Sequence, residues 1–262
     1  MPPPPSSIGS YYPAEHAPQT PARVAVVIPT VLRMDLIRAI ESVYEQDLNG
    51  TVQIMVGVDI EKYPGDFLES LLSRRPAHVS ALVLKLPYST SARHGGMHYA
   101  QDGGSTRTTL SFMANSQYVA YLDDDNTWMA HHLSSLLAVI EGKSWAYSHR
   151  ILVDDETGAA LGEDLWHSVG PVGGTIGGFV DPSCLMVDKV RLARTLGRWS
   201  ETARMKPGNA ADRHFFESIR NTPYGAVEVP TVRYSIRSTN TMRALLAQHA
   251  QATPTSKPTP AT

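Results

Sequence analysis

Tyr118-Val119-Ala120-Tyr121-Leu122-Asp123-Asp124-Asp125-Asn126-Thr127 is the stretch that decides the fold. Its first five residues form a short continuous apolar run, the pattern of a strand buried on both faces, and the run stops on three consecutive carboxylates. The same grammar repeats outward from it. Val24 to Ile28, closed by Pro29, reads as a strand, as do Thr51 to Asp59 and Val79 to Leu86. Between them lie helical stripes: Leu36, Ile37, Ile40, Val43 and Tyr44; Phe67, Leu68, Leu71 and Leu72; Leu110 and Met113; Leu133, Leu136, Leu137 and Ile140. Strand alternating with helix predicts an α/β domain with a mostly parallel central sheet flanked by helices and right-handed crossovers. Such sheets bind ligands at the carboxyl ends of their strands. Those ends read Pro29-Thr30, Asp59 and Asp123-Asp124-Asp125.

Composition sets the limits of that domain. Of 19 prolines in 262 residues, seven fall in residues 1–21 and three in residues 251–262. Residues 1–21 and 246–262 therefore read as disordered tails around one domain at 22–245, whose first half runs to about residue 127. A net charge of −2 offers no general attraction for nucleic acid or anionic lipid. The single cysteine, Cys184, excludes an intrachain disulfide and a thiolate-rich zinc site. Neither a secretory leader nor an apolar run of about 20 residues is present, so a cytoplasmic protein without a transmembrane segment is expected.

The half from 128 to 245 has a different texture. Trp145 to Val153 reads as a strand, Asp154-Asp155-Glu156-Thr157-Gly158 as a turn into another, and Ser183 to Val187 as apolar again. Residues 162–178 are glycine-rich, and helical patterns are expected at 188–196 and 210–220. This is a mixed α+β continuation of the same domain, and its helical stripes are compatible with a homodimer.

Three carboxylates behind a buried strand raise one another's pKa unless a cation neutralises them. Mg²⁺ or Mn²⁺ takes one or two carboxylates together with water and phosphate oxygens. Alternate side chains of an extended segment share a face, so Asp123 and Asp125 are expected to converge while Asp124 points elsewhere. A solvated acidic turn is the plain alternative. A second is an Asp-x-Asp-x-Thr phosphatase with Asp123 as nucleophile, but that motif opens its fold, whereas about three strand–helix units come first here.

The residues also resemble a known family. Val26-Val27-Ile28-Pro29-Thr30 with Leu36 to Val43, Val56-Gly57-Val58-Asp59, Gly103 to Thr108, Leu122 to Asn126, Phe179 to Val187 and Leu196-Gly197-Arg198-Trp199 follow the order and spacing of family 2-type nucleotide-sugar glycosyltransferases. The resemblance covers about Val24 to Asn240. It implies a GT-A-like, Rossmann-like fold, a nucleoside-diphosphate sugar donor (UDP- before GDP-linked) and a carbohydrate, lipid-linked or other hydroxyl acceptor. It places the nucleotide on Pro29, Thr30, Asp59, Arg107, Asp123 and Asp124, and Mn²⁺ or Mg²⁺ on Asp125 with Asp123. Arg107 as a structural ion pair beneath the site is the equal alternative.

The family's catalytic base matches Asp212, although Ala211 replaces the acid usually before it; His214 is the second choice. A downstream family histidine is replaced within Tyr234-Ser235-Ile236-Arg237, which offers Arg233 and Arg237 to the diphosphate instead. Trp166 and His167, beside the glycine-rich loop, are candidates for the acceptor, with core packing the equal alternative for Trp166. These departures keep open a non-catalytic nucleotide-binding descendant. His94 and His98 flank two glycines with no evident third ligand and read as loop histidines.

Overall fold

The computed structural model describes residues 7–13, 17–99, 103–164, 166, 169, 178–201, 211–238, 240, 242–244, 246 and 248. Ten strands join one sheet: β1 (Ser7–Tyr11), β2 (Val24–Thr30), β3 (Val52–Val58), β4 (Val79–Lys85), β5 (Tyr118–Tyr121), β6 (Thr127–Trp128), β7 (Trp145–Asp154), β8 (Ala160–Glu163), β9 (Leu185–Asp188) and β10 (Tyr224–Ile236). Helices α1 (Leu36–Tyr44), α2 (Asp66–Ser73), α3 (Gly104–Met113), α4 (His132–Ile140) and α5 (Ala211–Ile219) accompany them among the described residues. The spatial order is β1-β4-β3-β2-β5-β9-β7-β10-β6, with β8 beside β7. The pairings make β4, β3, β2, β5, β7 and β10 point the same way. The central sheet is thus mostly parallel and flanked by helices, as the apolar runs predict.

This topology gathers chemistry at one rim. β2 pairs with β3 on one side and β5 on the other, a topological switch point. Thr30, Asp59, Lys85 and Asp123 leave the strands there. β7 and β10, parallel to the same set, bring Asp155 and Arg237 to it as well. The core runs beneath the rim from Val24 to Val232, with β2 and β3 buried almost throughout.

A glycine sets the spacing between sheet and helix. A Cβ on Gly57 of β3 would lie 2.0 Å from Thr106 Cγ2 and 2.9 Å from Leu110 Cδ1 on α3. Gly57→Ala is therefore expected to cost about 1–3 kcal/mol in urea denaturation. Gly57→Ala combined with Thr106→Ser, which lacks that methyl, should recover most of the loss. Equal instability of the single and double variants would refute this contact as the cause.

Four expectations need correction. Ser7–Tyr11, counted with a disordered tail, is an antiparallel edge strand on β4, held by backbone pairing that needs no apolar periodicity. Leu246, assigned to the other tail, packs on a small cluster of Leu152, Ile236 and Met242; residues 249–262 lie outside the described residues. Residues 189–195, between the end of β9 and a 3₁₀ helix at Leu196–Ser200, form successive turns rather than an α-helix. There the Asp188 carboxylate accepts the N–H groups of Val190 and Arg191 at 2.9 and 3.0 Å, a side-chain alternative to helical pairing. Asp124, expected to point elsewhere, shares Arg33 with Asp125, because the chain turns at the end of β5.

Candidate active site

The three aspartates at the end of β5 divide between two cations. Asp123 pairs with Arg107, a 3% exposed residue on the inner face of α3 whose guanidinium also lies 5.2 Å from the Trp199 ring centre. Asp124 turns back into the β2 rim. There it accepts from Thr30 Oγ1 at 2.7 Å and from the Val31 N–H at 3.4 Å. Arg33 forks across the remaining charge, its Nε 3.2 Å from Asp124 and its Nη1 2.7 Å from Asp125. Asp124 and Asp125 thus share one guanidinium, while Asp123 goes to another. A flat extended strand would have turned Asp124 away from Asp125. The chain instead turns at this point, with the Asn126 N–H on the Asp123 carbonyl.

The charges remain unbalanced. Burial raises the Asp123 pKa against the pull of Arg107, and Asp181, Asp125 and Asp124 raise it further. Burial likewise raises that of Asp124 against Arg33 and Thr30. Asp125 is pushed up to about 6 by burial and by the Asp124 charge, against Arg33 and Arg237. Hard oxygen donors of this kind suit Mn²⁺ or Mg²⁺. Among the described residues, no group of three or more His, Cys, Asp or Glu is disposed to hold a metal alone. One or two of these carboxylates with substrate oxygens are the fitting donor set.

The turn is fixed from the other half of the domain. Ser183 Oγ accepts from the Asp123 N–H at 3.3 Å and from Asn126 Nδ2 at 3.0 Å, while Asn126 Oδ1 accepts the Ser235 N–H of β10 at 3.0 Å. Ser183 is set in turn by its own N–H on Asp181, at 2.9 Å. Asp181 and Asp164 grip Arg150, with Arg150 Nε 2.5 Å from Asp164, and the guanidinium stacks 4.0 Å from the Tyr234 ring centre. Burial alone would lower the Arg150 pKa; Asp181 and Asp164 together raise it above its ordinary value. Sequence reading missed Arg33, Ser183, Asp181, Asp164 and Arg150. Apart from Arg150, in the middle of β7, their signal is proximity to strand ends.

The remaining candidates divide. A Cβ on Gly103, before α3, would lie 2.7 Å from Pro29 Cβ, so Pro29 braces the start of that helix at the rim. Asp59 is engaged by the loop after β4: it accepts from Ser89 Oγ at 2.6 Å and from the Thr90 N–H and Oγ1 at 2.7 and 2.9 Å. Beside it opens a cavity of about 280 Å³ lined by Asp59, Glu61, Lys85, Pro87 and Tyr88. Arg237 borders a smaller, charged cavity of about 90 Å³ with Asp125, Asp155, Ser235, Asp35 and Arg38. Arg233 donates instead to the Gly158 carbonyl at 3.1 Å.

Asp212 stands half-buried in the first turn of α5 and accepts the Arg213 N–H at 2.6 Å. A Cβ on Gly104 would lie 3.1 Å from Ala211 Cβ, so the starts of α3 and α5 abut. Ala211, where an acid was expected, is fully buried in this contact. His214 faces Glu201 at 3.2 Å. Arg213 lies 6.0 Å from the ring centre of Trp166, whose N–H is held by Asp164 at 2.9 Å. His167 and most of the glycine-rich loop lie outside the described residues.

Comparison with solved structures places this architecture. S. aureus TarS 1–349 in complex with UDP-GlcNAc superposes with a TM-score of 0.58 and 12% identity, over 84% of this chain and 60% of that one. The mannosyltransferase PcManGT from Pyrobaculum calidifontis, in complex with GDP-Man and Mn²⁺, gives 0.53 and 15% identity, over 84% and 57%. The chain therefore has the fold of GT-A-type glycosyltransferases, and it spans about 60% of the length of the TarS structure it matches. In sequence, no protein-family model and no curated protein matches it.

Proposed function

We propose that the chain transfers a sugar from a nucleoside-diphosphate donor to an acceptor hydroxyl with inversion, assisted by Mn²⁺ or Mg²⁺. The observation that carries this reading is the crowded carboxylate turn at the β2–β5 switch point, with the half-buried Asp212 brought to the same rim by the contact of α5 with α3. Structural neighbours solved with UDP-GlcNAc and with GDP-Man and Mn²⁺ support it.

Each residue then has a role. The strand ends at Pro29 and Thr30 and the loop ordered by Asp59 receive the base and ribose, with the 280 Å³ cavity beside them. Asp125, with Asp123 behind it, would hold the metal, which supplies Lewis-acid stabilisation of the departing diphosphate. Arg237 adds a fixed positive charge at Asp125. Asp212 takes the acceptor hydroxyl's proton as the oxygen attacks the anomeric carbon. Arg107 is buried under Asp123 and acts as its counter-ion. Trp166, which packs against the Leu152, Ile236 and Met242 cluster, is assigned to the acceptor's sugar ring by its place beside the glycine-rich loop alone. No described helix is long and apolar enough to cross a membrane.

A thermal-shift panel of nucleoside diphosphates with and without Mn²⁺ tests the donor site: UDP or GDP with Mn²⁺ should raise Tm, and no shift with any of them would sink the reading. With a binding nucleotide found, Asp212→Asn should retain its affinity while donor turnover falls by about 10²–10⁴. Undiminished turnover would remove Asp212 as base. Binding without turnover in wild type, across a panel of acceptors, would favour the non-catalytic descendant.

A further inference from the structure

We propose that Arg33 is the resident counter-cation of the aspartate turn: it occupies Asp125 until a divalent ion arrives and then passes to the donor's diphosphate. This rests on the glycosyltransferase function and adds a residue to it.

The first support is the geometry of the fork. Arg33 Nη1 lies 2.7 Å from Asp125 Oδ2 and Nε lies 3.2 Å from Asp124 Oδ1. The two acceptors are held unequally. Asp124 is 6% exposed and tied to Thr30 and Val31 as well, so it is an anchor. The Asp125 side chain is 37% exposed, faces the charged cavity, and has Arg33 on its Oδ2. An ion approaching from the cavity would meet Asp125 already paired.

The second support is the backbone that aims Arg33. Leu32, immediately before it, has φ +53°, a left-handed conformation uncommon for a side chain of this kind. Leu32 is only 1% exposed, and its N–H is fixed by Thr30 Oγ1 at 2.9 Å, the same hydroxyl that donates to Asp124. One turn therefore carries the anchor contact and the arginine together. Conformational strain of this type persists only where the surroundings over-determine it.

Charge then moves the arginine. A divalent ion on Asp125 repels a guanidinium bonded to the same carboxylate, and the Arg33 side chain is 27% exposed, with room to turn. The nucleotide brings anionic oxygens to that place, and a planar guanidinium suits phosphate in bidentate fashion. Arg38, paired with Asp35, and Arg237 also border the cavity.

Titrating Mn²⁺ into nucleotide-free protein, with free ion read by electron paramagnetic resonance, separates the two states. Arg33→Met should bind Mn²⁺ about tenfold more tightly than wild type, within the ordinary range of coupling at one site. The gain should vanish in an Asp125→Asn background. In saturating Mn²⁺, the same variant should bind UDP or GDP about tenfold more weakly, with Arg33→Lys in between. Circular dichroism establishes that each variant is folded. Unchanged or weaker Mn²⁺ binding by Arg33→Met would overturn the proposal even if wild type binds nucleotide. Tighter Mn²⁺ binding with unchanged nucleotide affinity would overturn the transfer to diphosphate. If wild type binds no nucleoside diphosphate, the glycosyltransferase function itself fails, and with it that transfer.

Discussion

Arg150→Met should cost about 3–5 kcal/mol in urea denaturation, the usual effect of removing one partner from a buried ion cluster. Arg150 is 5% exposed and stands between Asp164 and Asp181, which are 1% and 6% exposed. Methionine matches the volume but leaves two buried carboxylates facing each other without a cation. The triple variant Arg150→Met, Asp164→Asn, Asp181→Asn should recover part of the loss, because the excess charge leaves with the arginine. The single variant should also loosen the aspartate turn, since Asp181 holds Ser183 and Ser183 holds the Asp123 N–H. A single variant within 1 kcal/mol of wild type, by the same scale, would show that the carboxylates reach solvent when uncovered.

Asp125→Asn should separate function from stability. Burial and the Asp124 charge raise its pKa to about 6 from an ordinary 3.8, so the folded chain binds this proton more tightly than the unfolded chain does. The resulting stabilisation is fully present below about pH 4 and is lost as the pH rises through 6, leaving ionised Asp125 a net cost at neutrality. The difference corresponds to about 3 kcal/mol. With the side chain 37% exposed, solvent screening leaves about 1 kcal/mol. At pH 7 the asparagine variant should therefore melt about 2–4 °C higher than wild type. The advantage should disappear near pH 4. Mn²⁺-dependent nucleotide binding should fall by at least about 100-fold in the same variant. A less stable variant that still binds nucleotide with Mn²⁺ would locate the metal elsewhere.

The parts of the fold that were legible are those whose burial is written locally. Val24 to Ile28 and Tyr118 to Leu122 are covered on both faces, so every residue must be apolar, and the run announces itself. β10 is the counterexample. Its 13 residues include Gly225 and Pro230, its pairing with β7 is interrupted between Val227 and Val232, and much of it is exposed. A proline inside a strand argues locally against a strand, and only the partner β7 overrides that. β1 is polar and short for the same reason: an edge needs a neighbour rather than a pattern.

The site divides on the same line. Asp123 to Asp125 could be read because a charge run behind an apolar strand is a local contradiction. Their partners could not. Ser183 reaches Asn126 across 57 positions, and Ser235 reaches it across 109. Arg33 lies 92 positions from Asp125 and looks like any surface arginine near a helix start. Asp59 could be read as a rim carboxylate, but its engagement by Ser89 and Thr90 depends on how the loop after β4 folds back.

The edge strand β1 bears on how this sheet avoids polymerising. Without it, the lateral boundary would be β4, a seven-residue ladder carrying Val79, Ala81 and Val83 and aligned with a parallel array, a ready template for another chain. Ser7–Tyr11 closes five of those positions with a strand of opposite direction, containing Gly9 and too short to template much in turn. A segment whose composition suggests only a loose tail thus covers most of the exposed ladder of β4.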